Sequence, residues 1–186
     1  MHISPQMIGL VIAAVLLLWV ISVFNALVAM RNRVQNAWAQ IDVQLKRRHD
    51  LIPNLVEAVR GYLAHERSVF DSVTQARAQA IAAGANLEQR MAAETILSGA
   101  LGKLMAVVEN YPQLRASENV QMLQEQLTST ENRIAYARQC YNDEVMKYNT
   151  TQSTFPRNLF ASLLGFSSAT MFTAADPERA NVMAKI

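Results

Sequence analysis

Residues 8–30 read IGLVIAAVLLLWVISVFNALVAM, a stretch without a charged side chain in which Asn25 is the one strongly polar residue. As an α-helix, these roughly 23 residues would be about 34 Å long, enough to cross a hydrocarbon core of about 30 Å. A cleaved signal peptide would instead need a positive n-region, a shorter apolar core and a small-residue cleavage site. Because residues 1–7 contain no Lys or Arg and the apolar run is longer, the pattern favours a retained transmembrane anchor over residues 1–30.

The charges that flank this stretch predict its orientation. No Lys or Arg precedes it, whereas Arg31 and Arg33 follow at once, and Lys46, Arg47 and Arg48 come next. The second group lies about 20 Å farther along a helix and should count for less. Since loops rich in Lys and Arg stay in the cytoplasm, we expect a single-pass protein of the cell (inner) membrane. Its N-terminus would lie outside and its soluble domain would be cytoplasmic.

Composition and motifs argue against an enzyme. A single cysteine, Cys140, excludes an intrachain disulfide framework and a zinc site with two or more thiolates. His65 and Glu66 begin a zinc-protease motif, but no second histidine follows four residues after His65. The chain also lacks a P-loop and a G-x-S-x-G nucleophile motif. We therefore expect no catalytic, cofactor or metal site, and the net charge of +2 gives no indication of nucleic-acid binding.

The sequence predicts that the membrane helix continues into the soluble domain. No Gly or Pro occurs between Leu10 and Ile52, so no linker is indicated. Pro53 then interrupts the pattern, either as the start of a new helix capped by Asp50 or as a kink in a continuous one. We favour the kink because the apolar stripe keeps its phase across Pro53, and we expect this helix to continue to Ala83 and stop at Gly84.

Apolar residues at helical spacing predict the rest of an all-α protein. We expect helices over Leu87–Val108 and Ser117–Gln152, and a short amphipathic piece over Asn158–Phe166. The stripe of the long third helix alternates steps of three and four, close to coiled-coil spacing; it comprises Val120, Leu123, Leu127, Thr130, Ile134, Ala137, Tyr141, Glu144 or Val145, and Tyr148. The transmembrane helix would thus continue into a long-helix antiparallel bundle over residues 31–166, followed by a loosely ordered tail over residues 167–186.

One charged residue falls inside an apolar stripe. Arg48 occupies the slot between Leu45 and Ile52. Charge runs are usually solvated helix faces, and that interpretation covers most of the neighbouring charges. A lone buried charge is costly, so Arg48 should meet a carboxylate, for which Glu131 is the best candidate; Arg138 lies seven residues beyond it. Such a pair would fix helix register more than it would add stability.

Many short runs of this sequence resemble motifs of the LemA family. They comprise Asn25–Val28, Arg31-Asn32, Ala37-Trp38, Ile41–Arg48, Asp50–Val56, Gly61-Tyr62, His65-Glu66, Tyr111-Pro112, Glu131–Ile134, Ala137-Arg138, Tyr141-Asn142, Tyr148-Asn149 and Phe155-Pro156. The resemblance covers roughly residues 8–172, and Cys140 beside Tyr141 is a small departure from it. It implies a bacterial single-pass membrane protein with a helical-bundle domain. It also implies links to magnetosome membrane formation and to genes near a membrane zinc protease, which are associations and define no activity.

Three classes of function compete at this point. The first is a membrane-anchored scaffold or adaptor that forms a homo-oligomer, with the bilayer, a membrane protease or another membrane protein as partners. Asn25 in the anchor and Trp38 beyond it are its interaction candidates, beside Arg48, Glu131, Arg138 and Pro53. The second is an enzyme with a site of acidic residues and tyrosines, which a perturbed cluster in a deep pocket would favour. The third is a sensor that transmits ligand or partner binding through its continuous helix, which a cavity between helices would favour.

Overall fold

The computed structural model describes residues 5–62, 66–84 and 86–172, and nearly all of them are helical. Within these ranges the chain forms six α-helices and no strand, so the predicted all-α class is confirmed. The helices are α1 (Pro5–Arg60), α2 (Arg67–Ala82), α3 (Leu87–Glu109), α4 (Pro112–Arg115), α5 (Glu118–Ser153) and α6 (Arg157–Leu163).

Helix α1 continues through Pro53 but ends earlier than the sequence pattern predicts. It runs for 56 residues with Pro53 inside it, so no new helix begins at this proline. The predicted continuation to Ala83 is wrong, because α1 ends at Arg60 and α2 begins at Arg67. Gly61 follows the last helical residue. Glycine costs about 1 kcal/mol relative to alanine inside a helix, so this position favours termination even where the apolar stripe keeps its phase.

The boundary between α2 and α3 follows local chain chemistry. Gly84 has a φ of 64°, a left-handed conformation that glycine adopts without a steric penalty, and the predicted stop at Gly84 is confirmed. Asn86 then caps α3, because its side-chain oxygen accepts a hydrogen bond from the N–H of Gln89 at 3.1 Å. The predicted helix over Leu87–Val108 is therefore found with a difference of one residue at its C-terminal end.

Residue contacts divide the chain into two compact units, which we describe separately. Unit 1 comprises the described residues of Met1–Ile41 and Tyr136–Met171, and unit 2 those of Asp42–Ala135 and Phe172–Ile186. The predicted domain limits at residues 30 and 166 stay predictions. Most of the predicted tail, residues 173–186, lies outside the described residues.

Unit 2 is built around an apolar core to which five helices contribute. Its buried members include Ile52, Leu55, Val59, Phe70, Val73, Leu97, Leu104, Val108, Leu114, Val120, Leu123 and Leu127. Burial of a side chain of this size stabilises a fold by about 1.5–3 kcal/mol relative to exposure. The core therefore accounts for much of the helical packing of this unit.

Helix α3 is a core helix, although by length and composition it could cross a membrane, as could α1. Its buried side chains, among them Leu97, Leu104 and Val108, belong to the core of unit 2. Ile96, which the sequence pattern groups with the apolar positions of this helix, is 56% exposed. The N-terminal part of α1 is different, because large apolar side chains such as Leu10 are exposed there (72%).

Unit 1 contains the first part of α1, the second part of α5, and α6. The predicted stripe of α5 is buried at every apolar position, from Val120 in unit 2 to Tyr148 in unit 1. Trp38 is half-buried, and its ring meets that of Tyr141 edge to face with the centroids 5.8 Å apart. Helical periodicity was thus sufficient to identify which face of α5 is buried.

Candidate functional site

Unit 2 buries an ionic cluster around Arg48. The Arg48 side chain is fully buried (0% exposed), where the apolar stripe of α1 would otherwise continue. Its Nη1 donates to Glu131 Oε1 and to Ser98 Oγ, each at 2.8 Å, and its Nη2 donates to Glu94 Oε2. The expected contact with Glu131 is therefore present, and a second carboxylate that the sequence analysis missed completes the cluster. Two carboxylates and a hydroxyl offset the cost of burying one guanidinium.

Glu94 is the more deeply buried of the two carboxylates. It is 1% exposed, whereas the side chain of Glu131 is 39% exposed. Its second oxygen, Oε1, lies 3.0 Å from His49 Nε2. Burial alone would raise the pKa of Glu94, but the neighbouring His49 and Arg48 side chains hold this pKa below its ordinary value of 4.5. The carboxyl is therefore ionised at neutral pH.

The sequence did contain a signal for Glu94. The buried positions of α3 include Glu94, Leu97, Leu101, Leu104 and Val108, which alternate steps of three and four. Glu94 therefore interrupts an apolar stripe in the same way as Arg48 interrupts that of α1. Two charged residues of opposite sign, each in phase with a buried stripe, would have predicted this pair.

Pro53 leaves a main-chain acceptor in α1 without its helical donor, and a side chain from α2 replaces that donor. The carbonyl of His49 would normally accept from the N–H four residues later, which is the position of Pro53. Proline has no N–H, and Arg77 Nε donates to the His49 carbonyl at 2.8 Å instead. Pro53 itself is exposed. This interaction explains why α1 continues through the proline, and it connects the backbone of α1 to α2.

A cleft of about 440 Å³ opens beside the cluster in unit 2. Its ionisable lining comprises Asp42, Lys46, His49, Asp50, Arg77 and Arg90. Two ion pairs occupy part of this lining: Arg90 with Asp42 at 2.8 Å, and Lys46 with Asp50 at 3.1 Å. In the part of the chain that the structure describes, no group of three or more His, Cys, Asp or Glu side chains could hold a metal ion. The balance of charge suits a small molecule with both signs better than a simple anion or cation.

Unit 1 contains a different polar arrangement, which we call the clamp. Four side chains on one face of α5 bind the main chain of an extended segment, residues 166–170, which we call the docked segment. Asn149 both donates to the carbonyl and accepts from the N–H of Ala169, each at 2.9 Å. The other three donate to main-chain carbonyls of the docked segment: Gln152 to Phe166 at 2.6 Å, Tyr148 to Ser167 at 2.9 Å and Tyr141 to Thr170 at 2.9 Å.

The clamp recognises main-chain atoms with neutral side chains. Burial raises the pKa of both Tyr141 and Tyr148, so their hydroxyls stay protonated and continue to donate at all physiological pH values. No pattern in the sequence predicts the clamp, because residues 167–186 are rich in Ala, Ser and Thr and are typical of a loosely ordered tail. Tyr141 and Tyr148 belong to the buried stripe of α5, and an apolar stripe that contains tyrosines is a weak signal for such hydroxyl contacts.

The turn between α6 and the docked segment fixes the direction of the chain. Gly165 has a φ of 77°, and its N–H donates to the carbonyl of Ser162 at 3.3 Å. The N–H of Phe166 donates to the carbonyl of Ala161 at 3.0 Å, which completes a Schellman motif. The chain therefore leaves α6 in a defined direction and continues along α5.

The remaining predicted site residues lie in unit 1. Asn25 is exposed on α1, within the apolar stretch. Arg138 is half-buried on α5, and Trp38 contacts Tyr141 as described above. Arg48, Glu131 and Pro53 all belong to unit 2. The structure thus joins Arg48 to Glu131, and Trp38 to the clamp residue Tyr141, within their respective units.

Comparison with known proteins adds a family and several relatives. The family model described as "LemA family" matches residues 37–185. "Magnetosome protein MamQ 2" of Paramagnetospirillum magneticum is 29% identical over 174 residues, which covers 80% of this chain and 64% of the relative. "Magnetosome protein MamQ" of Magnetospirillum gryphiswaldense is 28% identical with the same coverage. "Protein LemA" of Metamycoplasma hominis is 25% identical over 158 residues, 85% of this chain and 72% of the relative. The chain therefore spans less than two thirds of the length of the magnetosome relatives.

Proposed function

The chain belongs to the LemA family, and on that premise we propose that it is a membrane-anchored, non-enzymatic scaffold or adaptor. In this proposal the apolar stretch of α1 crosses the cell (inner) membrane, and the helical units bind other membrane proteins. The magnetosome relatives, by their names, support a part in organising a membrane compartment. A membrane protease is a second candidate partner, which would place the protein in membrane protein quality control.

The observation that carries this proposal is the exposed apolar surface of α1. Between Met7 and Leu18 the large apolar side chains are all exposed, with values such as 59% for Met7, 72% for Leu10 and 67% for Leu18. Monomeric soluble proteins rarely expose a contiguous apolar surface of this extent. Twenty residues from Pro5 to Phe24 would be about 30 Å long as a helix, which matches the thickness of a hydrocarbon core. A bilayer is therefore the environment that fits this segment best.

Membrane extraction tests the anchor. We expect the intact chain to resist alkaline carbonate and to be released by detergent. Leu17→Arg places a charge near the centre of the span and should increase the extractable fraction, because arginine there costs about 2.5–3.5 kcal/mol on insertion scales. Met122→Arg is the matched control, since Met122 is also exposed but lies in unit 2. Release of the unaltered chain by carbonate would contradict the proposal.

Orientation is a separate part of the proposal. Arg31 and Arg33 support a cytoplasmic location for the helical units, with the N-terminus outside. Arg115 is exposed, so Arg115→Cys in a Cys140→Ser background offers a labelling site in unit 2. We expect a membrane-impermeant maleimide to label this cysteine after cell lysis but not in intact cells. Strong labelling before lysis would reverse the orientation.

We further propose that the protein assembles as a homo-oligomer through its membrane helix. Three small residues of the apolar stretch permit close contact with another helix: Gly9, which has open space around its Cα, Ala13 and Ala14. Asn25, farther along the same helix, is exposed. An exposed amide in an apolar helix can hydrogen-bond to a second copy. The mass of the assembly across a dilution series, in detergent and in nanodiscs, tests this part. We expect Asn25→Leu to shift the series toward monomer, whereas a monomeric unaltered chain throughout would leave a hetero-adaptor as the remaining form of the proposal.

A second candidate function rests on the cleft in unit 2. A cavity between helices favours the sensor hypothesis, and part of the cleft lining, including Asp42, Lys46 and His49, belongs to α1. Ligand binding there would act on the same helix that contains the apolar stretch. Thermal shift measurements with zwitterionic metabolites would test this function. A melting temperature that rises with ligand in the unaltered chain but not in Arg77→Ala would favour it over a purely structural role.

A further inference from the structure

We infer that α6 lies in the membrane interface and presents a row of apolar side chains to the lipid acyl chains. The inference rests on the proposed anchor, because it takes the apolar stretch of α1 as the membrane span. It adds a second membrane contact, 130 or more residues later in the chain, at the C-terminal end of the described part. The partner is the lipid surface, identified by the chemistry of the exposed face.

Two aromatic contacts place α6 beside the apolar stretch of α1. The ring of Phe160 meets that of Trp19 edge to face, with the centroids 5.4 Å apart. The ring of Phe166, at the turn after α6, meets that of Phe24 at 5.7 Å. Trp19 and Phe24 both belong to the stretch without charged side chains. All four residues are in unit 1, so α6 lies alongside residues that the proposed anchor would place at membrane depth.

The length of α1 shows that these contacts fall inside the span. The run from Met7 to Leu18, whose large apolar side chains are all exposed, would be only about 18 Å long as a helix, too short for a hydrocarbon core of about 30 Å. The hydrocarbon must therefore reach beyond Trp19, and we place its boundary at about Phe24, because the strongly polar Asn25 follows it and the 20 residues from Pro5 to Phe24 already measure about 30 Å. On that register Trp19 lies about 7–8 Å inside the boundary, and α6 lies at a similar depth. Interfacial helices are buried to about 5–10 Å.

The outward face of α6 has the chemistry that this position requires. Leu159 and Leu163 are spaced four residues apart in α6 and are 61% and 81% exposed, and Phe155, in the turn before α6, is 75% exposed. Residues at this spacing share one face of a helix, whereas the neighbouring Ala161 is buried. Arg157 is exposed near the start of α6 and can reach lipid phosphates with its long side chain. Apolar residues on one side and an arginine beside them are typical of helices that lie on a membrane surface.

The clamp and the Schellman turn hold α6 in this place. A helix of seven residues has little stability of its own in water. Here the chain after Gly165 is attached to α5 by the clamp hydrogen bonds. The position of α6 beside Trp19 is therefore set by packing within unit 1, and its exposed face is available to lipid.

Depth-dependent fluorescence quenching tests the inference on the full chain in nanodiscs. In a Cys140→Ser background, Leu159→Cys is labelled with an environment-sensitive fluorophore, and nitroxide lipids quench it from either a shallow or a central position. Val15→Cys reports on the anchor, and Met122→Cys is the control in unit 2; all three native side chains are exposed. We expect several times more quenching at position 159 than at 122, with the shallow nitroxide more effective at 159 and the central one more effective at 15.

The outcomes distinguish this inference from the proposed anchor. Quenching at position 15 without quenching at 159 would overturn the interfacial position of α6 and leave the anchor intact. Absence of quenching at both positions would instead contradict the anchor. The inference would also be overturned if the label at position 159 were not quenched and Leu159→Cys formed a crosslink to a second copy. Protein, not lipid, would then cover this face. Leu163→Cys repeats the test at the most exposed position of the row.

Discussion

Unit 2 buries ionised side chains against one another, whereas unit 1 uses neutral side chains to bind main-chain groups. In the cluster of unit 2, Arg48 is fully buried between Glu94 and Glu131. In the clamp of unit 1, Asn149 and Tyr148 hydrogen-bond to the backbone of the docked segment. Loss of one member leaves an uncompensated buried charge in the cluster, but only an unpaired neutral group in the clamp. We therefore expect the first arrangement to favour one helix register, whereas the second distributes its stabilisation over several weaker bonds.

Removal of the cation should have the largest effect. We expect Arg48→Ala to lower the free energy of unfolding by about 3–5 kcal/mol, because Glu94 would be left charged and buried. Urea unfolding of the full chain in mild detergent, followed by circular dichroism, measures the change. Arg47→Ala is the control: Arg47 is exposed, and we expect a change within about 0.5 kcal/mol. Equal midpoints for Arg48→Ala and the unaltered chain would show that the cluster has no energetic role.

Glu94 should make part of the stability depend on pH. Its pKa is below the ordinary 4.5 in the folded state, so its ionised form stabilises the fold above pH 4.5. This contribution is lost as pH falls from 4.5 through the folded-state pKa. Glu94→Gln should cost about 1.5–3 kcal/mol at pH 7 and should flatten the decline in unfolding free energy at acid pH. A decline as steep in the variant as in the unaltered chain would assign acid sensitivity to other carboxyls.

In unit 2, as in the clamp, a side chain donates a hydrogen bond to a main-chain carbonyl. Arg77→Ala should cost about 1–2 kcal/mol, because the His49 carbonyl would lose the donor that replaces the missing N–H of Pro53. Pro53→Ala restores that N–H, so Arg77→Ala should cost less in the Pro53→Ala background. A double-mutant cycle of unfolding free energies measures this coupling. Additive effects of the two substitutions would contradict the replacement.

Single clamp residues should have the smallest effects. Tyr148→Phe removes one hydroxyl that donates to the Ser167 carbonyl, and we expect a loss of about 0.5–1.5 kcal/mol. Hydrogen exchange at the Ala169 N–H reports on the docked segment directly, and it should accelerate more in Asn149→Ala, which loses both bonds to Ala169. Gln139→Ala, at an exposed position of α5 in unit 1, is the control. If Tyr148→Phe lowered the free energy of unfolding by more than Arg48→Ala does, the comparison between the two units would be reversed.

Prediction from sequence succeeded where the feature depends on the residues of a single helix. The burial of the α5 stripe follows from spacing alone, because a helix places residues three and four apart on one face. The contact between Arg48 and Glu131 was predictable from the cost of a lone buried charge. Glu94 was missed, although it lies in phase with Leu97 and Leu101 in the buried stripe of α3. The end of α1 at Arg60 was missed because the stripe keeps its phase although the helix stops.

Local propensity and periodicity along single chain segments were enough to predict the all-α class, the buried face of α5 and the apolar stretch of α1. Only the packing of the helices shows that Arg77 donates to the carbonyl left by Pro53 and that the docked segment lies along α5. Those contacts join residues that are 14 to 29 positions apart in the sequence. Which distant groups meet depends on how helices pack, and no local pattern specifies that.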